Sequence, residues 1–302
     1  MILLYHGIVA DEAPPERSCA AQALPLRVFA RHISWIARRL RIVPLSEYLE
    51  RRGTRGASRL AALTFDDGLA ETFERVEPYL RSETIPATFF VSTAHCRPGA
   101  LLWFTTLDAL CFEGEHCALV AGGRALPLGT LEEKRQARRA LGALARESGD
   151  ARAFARELLD RHPLSDSALR PYRGMSFDAI RAAASGSLFE IGSHTVSHPY
   201  LTSLPAAERR AEIEGGRAEI AGATGRSVRY FAYPGGDYDA RTLGLVRDAG
   251  YQAALATVSN HLEPDDRYEI ERVGIYSAPL WKVALKAAGI VPVARRMGFQ
   301  IG

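Results

Sequence analysis

The stretch "RLAALTFDDG" (59–68) decides the fold. After Arg59 comes an apolar run of strand length without polar alternation, the pattern of a strand buried on both faces in a helix-covered parallel sheet. Two aspartates and a glycine follow at once. Adjacent carboxylates beside apolar residues cost on the order of several kcal/mol unless a cation or hydrogen-bond donors compensate. Their side chains diverge, so one is placed to bind an ion while the other faces a water as a base. The plainer alternative is an Asp-Gly turn with an incidental second aspartate.

Runs of the same kind recur at "ILLY" (2–5), "ATFFVS" (87–92), "LFEIGS" (188–193), "VRYFAY" (228–233), "QAALAT" (252–257) and "IERVGIY" (270–276). Helical periodicity separates them: in 26–40, Leu26, Phe29, Ile33, Ile36, Ala37 and Leu40 share a face. The helical stretch 205–223, whose run "AAERRAEIEGGRAEIAGATG" closes at Gly225, and the stretch 238–250 end in glycine, as helix stops do. Seven or eight such units predict an α/β protein, a closed or nearly closed barrel of parallel strands, as one domain over 1–302. Residues 97–170 break the alternation with "LLWFTTLDALCF", a hairpin around Gly122–Gly123 and a charged helical stretch. This segment is expected to be an insertion walling the cleft, with Trp103 exposed and the arginines on a solvated helix face.

The chain has 38 basic and 35 acidic residues, a formal charge of +3, so no field favours nucleic acid. No stretch approaches the roughly 18 apolar residues of a membrane span, and no secretory leader is visible. The expected location is cytoplasmic, with export open if a leader was removed. Cys19, Cys96, Cys111 and Cys117 lack paired CxxC spacing, which favours reduced structural thiols.

In a parallel barrel the active site forms where the carboxyl ends of the strands converge. Each of four runs is followed there by polar residues or glycines: His6-Gly7, Asp66-Asp67-Gly68, His194 and His198, and Pro234-Gly235-Gly236. "HTVSH" (194–198) sets two imidazoles four residues apart, able to meet on one ion, or to be two capping or surface histidines. Thr195 stands where a zincin has its glutamate, so a base must come from elsewhere.

"TFDDG" (64–68), "SHTVSH" (193–198) and "FAYPGG" (231–236), in this order, resemble the polysaccharide deacetylase family, the NodB-homology or carbohydrate esterase family 4 enzymes. The resemblance implies a distorted (β/α)7–8 barrel of the NodB type that removes N- or O-acetyl groups with a divalent metal. It implies Asp66 as general base and Asp67, His194 and His198 as metal ligands. Two departures stand out. Ala232 occupies the position of an arginine that orients the base in many members, and the C-terminal Leu-x-His acid is absent from "ERVGIYSAPLW". The poly-N-acetylglucosamine deacetylase branch is similar in both respects, and its first strand delivers the acid. "LLYHGIV" is then the displaced motif, with His6 as acid, and Arg272 becomes the candidate orienting arginine.

The expected reaction is metal-assisted hydrolysis of an acetamide on a glycan or amino sugar. The cofactor is one divalent ion, zinc first, with cobalt or nickel as alternatives. A backbone N–H near Gly235 would hold the oxyanion. Tyr233, Trp103, Phe104 and Tyr200 either carry sugar rings or simply pack. His95, His116 and His261 are the fallback acids. Two rival readings are a small-amide hydrolase on the same barrel and a non-catalytic carbohydrate-binding relative. The expected partner is an acetylated carbohydrate; the sequence leaves the oligomeric state open.

Overall fold

The computed structural model describes residues 1–13, 23–262, 266–276 and 279–287 of the 302, so Cys19 lies outside the described residues. The strands are β1 (Ile2–Tyr5), β2 (Ile8–Val9), β3 (Leu24–Pro25), β4 (Arg41–Ile42), β5 (Leu60–Phe65), β6 (Ala87–Val91), β7 (Ala118–Ala121), β8 (Arg124–Pro127), β9 (Phe189–Ser193), β10 (Tyr230–Ala232), β11 (Ala253–Ala256), β12 (Ile270–Glu271) and β13 (Val273–Gly274). The helices are α1 (Leu26–Ala37), α2 (Leu45–Arg51), α3 (Ala70–Ser82), α4 (Trp103–Phe112), α5 (Leu131–Glu147), α6 (Ala151–Arg161), α7 (Asp166–Leu169), α8 (Phe177–Ser185), α9 (Ala206–Thr224), α10 (Ala240–Asp248) and α11 (Leu280–Ala287).

The main sheet runs β12-β11-β10-β9-β6-β5-β1-β13, every neighbour parallel, with β4 beside the start of β5. Its two edge strands are consecutive in the chain, separated only by Arg272. The Arg272 N–H donates to Ala256 O at 3.0 Å on one side, and the Ile275 N–H to Leu4 O at 2.9 Å on the other. One short run thereby bridges both edges and nearly closes a barrel. The sequence pattern reads 270–276 as a single strand; it splits because the strands of a barrel are staggered, so its first half meets β11 and its second half β1.

Alternation along each strand separates two cores. Ala61, Leu63 and Phe65 of β5 face the helices, where Phe65 stacks on Phe89 at 4.9 Å and Phe29 of α1 stands edge-on to Tyr5. Ala62 faces the other way, into a smaller cluster with Ile2, Phe90, Ala232 and Leu255 inside the ring. All six residues of β5 are buried, as a strand covered on both faces requires. At Gly192 a side chain has no room, since a Cβ would stand 2.4 Å from the Phe90 ring.

Between β6 and β9 the chain leaves the alternation. Helices α4, α5 and α6 enclose a third apolar cluster built on Leu107, Leu110, Leu141 and Leu158, and β7 and β8 pair as an antiparallel hairpin. A capping box opens α5: the Thr130 hydroxyl accepts from the Glu133 N–H, and the Glu133 carboxylate from the Thr130 N–H. Trp103 is 7% exposed and belongs to this core, which corrects the expectation of an exposed ring. Its neighbours Phe104 and Tyr200 cover it, at centroid distances of 5.6 Å each, and a helical pattern does not reveal such tertiary partners. Cys96 and Cys111 are buried free thiols, pushed up to about 12 by burial; Cys117 is free and exposed. Among the described residues no helix is long and apolar enough to cross a membrane.

Candidate active site

Register places the site. Tyr5 pairs with Phe65 and Phe65 with Phe89, so His6 and Asp66 leave adjacent strands side by side. Val91 pairs with Ser193, and Ser193 with Phe231, which brings the 194–198 loop and the 233–236 turn to the same rim. His6, Asp66, Asp67, His194, His198 and Gly235 line one cavity of about 360 Å³. The fallback acids are elsewhere: His95 is held between two carbonyls, His116 packs on His162, and His261 is exposed.

The two aspartates have opposite surroundings. Arg272, 1% exposed at the side chain, grips Asp66 with both arms, Nη1 to Oδ1 at 2.7 Å and Nη2 to Oδ2 at 2.6 Å. Burial pushes the Asp66 carboxyl up, but the charges of Arg272 and His194 and the Arg272 hydrogen bonds win and hold it at about 2. Asp67 has no such fork. Burial raises its carboxyl well above the usual range, and the neighbouring Asp66 and Asp108 raise it further.

What faces Asp67 is imidazole: its Oδ1 stands 3.7 Å from His194 Nε2 and 3.5 Å from His198 Nε2. The three ligand atoms lie within 4.8 Å of one another. Ligands at about 2.0–2.1 Å around a tetrahedral ion stand about 3.4 Å apart, so the donor set fits one divalent metal. The tautomer fits as well. His194 Nδ1 lies 2.8 Å from Ala232 O, and donating its proton there leaves Nε2 with a lone pair toward Asp67. Burial lowers both histidines, His198 well below its ordinary value with His194 adding to the effect, which favours the neutral form that a metal ligand needs. A cation resolves the one unfavourable group, a buried carboxylate without a counter-charge.

Strain concentrates here. Asp67, Thr195 and His198 have φ of 70°, 68° and 57°, left-handed values that side chains with a Cβ rarely adopt. Each costs on the order of 1 kcal/mol and persists only where the surroundings enforce it. Glu212 of α9 does so for the histidine loop, accepting from the Val196 N–H at 3.0 Å, the Ser197 N–H at 2.8 Å and the Ser197 hydroxyl at 2.5 Å. The Asp67 turn is held by the stretch just after the inserted segment: Met175 N–H donates to Gly68 O at 2.8 Å, and Ala70 N–H to Arg173 O at 2.9 Å. Gly68 at φ 64° presses on Val91, where a Cβ would lie 2.8 Å from Cγ1. Sequence reasoning missed Glu212, because a glutamate on a helix face with Ile213 and Ile220 looks like any other.

His6 is half-buried, with its Nδ1 covered and without a hydrogen-bond partner, and desolvation pulls it down to about 4 against the opposing pull of Asp66. The Gly235 N–H, in a turn at φ 60°, has no acceptor among the described residues. Tyr233 is 1% exposed, stacked on Tyr238 at 4.3 Å with its hydroxyl donating to Tyr268 O, and it contributes to the wall of the same cavity. Tyr200 is only partly covered and carries Arg146 over its ring at 4.7 Å.

Buried carboxylates and imidazoles thus converge at one rim of a nearly closed parallel barrel. The sequence model of the polysaccharide deacetylase family matches residues 54–100 and 169–254. The unmatched interval between the two parts falls within the inserted segment. Among solved structures, IcaB from Ammonifex degensii superposes with a TM-score of 0.60 at 19% identity, over 95% of this chain and 95% of that one. A polysaccharide deacetylase from Bacillus cereus gives 0.60 at 15%, covering 95% and 68%. A de-N-acetylase from Aggregatibacter actinomycetemcomitans gives 0.57 at 16%, covering 95% and 98%. At these identities the likeness establishes the fold. Among curated proteins, no sequence matches significantly.

Proposed function

We propose that the protein is a metal-dependent deacetylase that hydrolyses the N-acetyl group of a glycan or amino sugar, within a single barrel domain that carries 97–170 as an insertion. One observation carries this reading: Arg272 neutralises Asp66 and leaves Asp67 to two neutral imidazoles. Identical neighbours in sequence are thereby given different work. Asp67, His194 and His198 hold the ion, zinc by donor type, with cobalt or nickel able to use the same set. When bound, the metal supplies polarisation of the acetyl carbonyl and a lowered pKa for the attacking water.

The remaining chemistry belongs to the chain's own groups. Asp66 is ionised at any working pH and takes the proton of the attacking water. Held at both oxygens, it cannot turn away, at the price of low basicity. The Gly235 N–H points its unspent donor at the rim and steadies the oxyanion. His6 returns a proton to the departing amine, without which an amide does not break. Its resting form is neutral, so it first takes up a proton, the one Asp66 removed from the water or one from solvent, as negative charge develops on the substrate, and then passes that proton to the amine.

A glycan is favoured over a small amide by the space beside the cavity. A groove of about 650 Å³ shares Trp103, Tyr200 and Gly235 with the cavity and runs on between α9 and the α5–α6 turn. That is room for more than one sugar ring. The test is acetate release from a panel of acetylated chitooligosaccharides and small acetamides after metal stripping and reconstitution. Metal-dependent release from the glycans is expected; release only from small acetamides, or none, removes the reading.

A further inference from the structure

Helix α4 belongs to the inserted segment, yet it packs directly on a candidate ligand. The Phe104 ring lies 4.6 Å from the His198 ring, and Trp103 Nε1–H donates to His198 O at 3.0 Å. Asp108 stands four residues after Phe104, on the same helix face, and so is carried to the same cavity. There its carboxylate is 5% exposed and accepts from Arg138 Nε at 2.5 Å, while Arg138 Nη2 reaches toward Phe104 O at 3.5 Å. Both side chains line the cavity that holds Asp66 and Asp67.

This pair is an unfavourable choice for packing alone. Asp108 adds a third carboxylate to the cavity that holds Asp66 and Asp67, and an apolar pair of similar volume would fill the space at less cost. What the pair offers instead is a set of donors and acceptors with no net charge, joined by the Nε–Oδ1 hydrogen bond. That is the complement of neighbouring hydroxyls on a neutral pyranose ring, which need oriented hydrogen bonds rather than a field.

We infer that Asp108 and Arg138 form the hydroxyl-recognition corner of the active site, binding the sugar ring that bears the scissile acetamide, so that the inserted segment sets substrate choice. The inference rests on the deacetylase reading above. It is tested with the metal-loaded protein on N-acetylchitotetraose and on 4-nitrophenyl acetate, which has no ring hydroxyl. Asp108→Asn keeps the shape and removes the charged acceptor; the loss in kcat/KM on the tetrasaccharide is expected to exceed the loss on the ester by about 10- to 100-fold, the range of a charged hydrogen bond. Arg138→Gln, which retains a donor, is expected to shift the same ratio less, and metal content is expected to stay at the wild-type level in both. Equal loss on the two substrates, loss on neither, or loss of metal from Asp108→Asn overturns the inference and leaves the deacetylase reading standing. A wild-type protein that cleaves the ester but no glycan overturns both.

Discussion

The barrel rim and the inserted segment meet in one cavity but are built by different rules. At the rim, each polar group follows a buried strand, and its position is set by register: Tyr5 beside Phe65 puts His6 beside Asp66. In the segment, α4 to α6 have their own apolar core, and only one face of α4 turns toward the cavity. The rim carries ionisable groups held under strain; the segment carries aromatic cover and one neutralised ion pair. The difference teaches that reactivity and selection are separable here. A parallel barrel can hold its reacting groups rigidly while a loop-borne subdomain varies what reaches them.

The largest effect should come from the rim. Asp67→Ala removes one of three donors, and the purified variant is expected to lose most of its metal and all measurable turnover, by elemental analysis and acetate release. Asp66→Asn breaks the symmetry between the neighbours: metal is retained while activity falls at least about a hundredfold. It also strands the Arg272 guanidinium, so a stability loss of about 3 kcal/mol in urea unfolding should accompany it. If the two variants lose metal equally, the aspartates do not have different roles.

A smaller effect is expected from His6→Ala, which should keep metal and fold. Hydrolysis of an acetamide should slow by about a hundredfold, and that of an activated ester much less, because a good leaving group needs no proton. Uniform loss on both substrates would make His6 a packing residue.

The smallest effect lies where the two regions touch. Trp103→Phe deletes the indole donor and leaves His198 O without it, costing about 1 kcal/mol of stability and a few-fold in rate. Should it instead abolish metal binding, the segment would share in the reactive machinery, and the separation of rim from segment would fail.

Much of this molecule is legible in the chain itself. Strand runs buried on both faces, four of them followed by His-Gly, Asp-Asp-Gly, His or Pro-Gly-Gly, announce a parallel barrel and the rim where its chemistry collects, because local periodicity and strand-end direction depend only on near neighbours. The hairpin at Gly122–Gly123 and the helices of the segment follow from turn and capping residues in the same way. Contacts across long separations do not. The sequence offers Arg272 as the orienting arginine only through the family resemblance; it meets Asp66 from 206 residues away because the last strand run closes the ring, and barrel closure is a property of all the strands together. Trp103 sounds exposed in a charged insertion and is covered only because α4 lies on the His198 loop. Asp108, Arg138 and Glu212 have no local signature at all. Their neighbours in sequence are ordinary helix, and only packing decides that a carboxylate on such a face looks into a cavity or braces a strained loop rather than facing water.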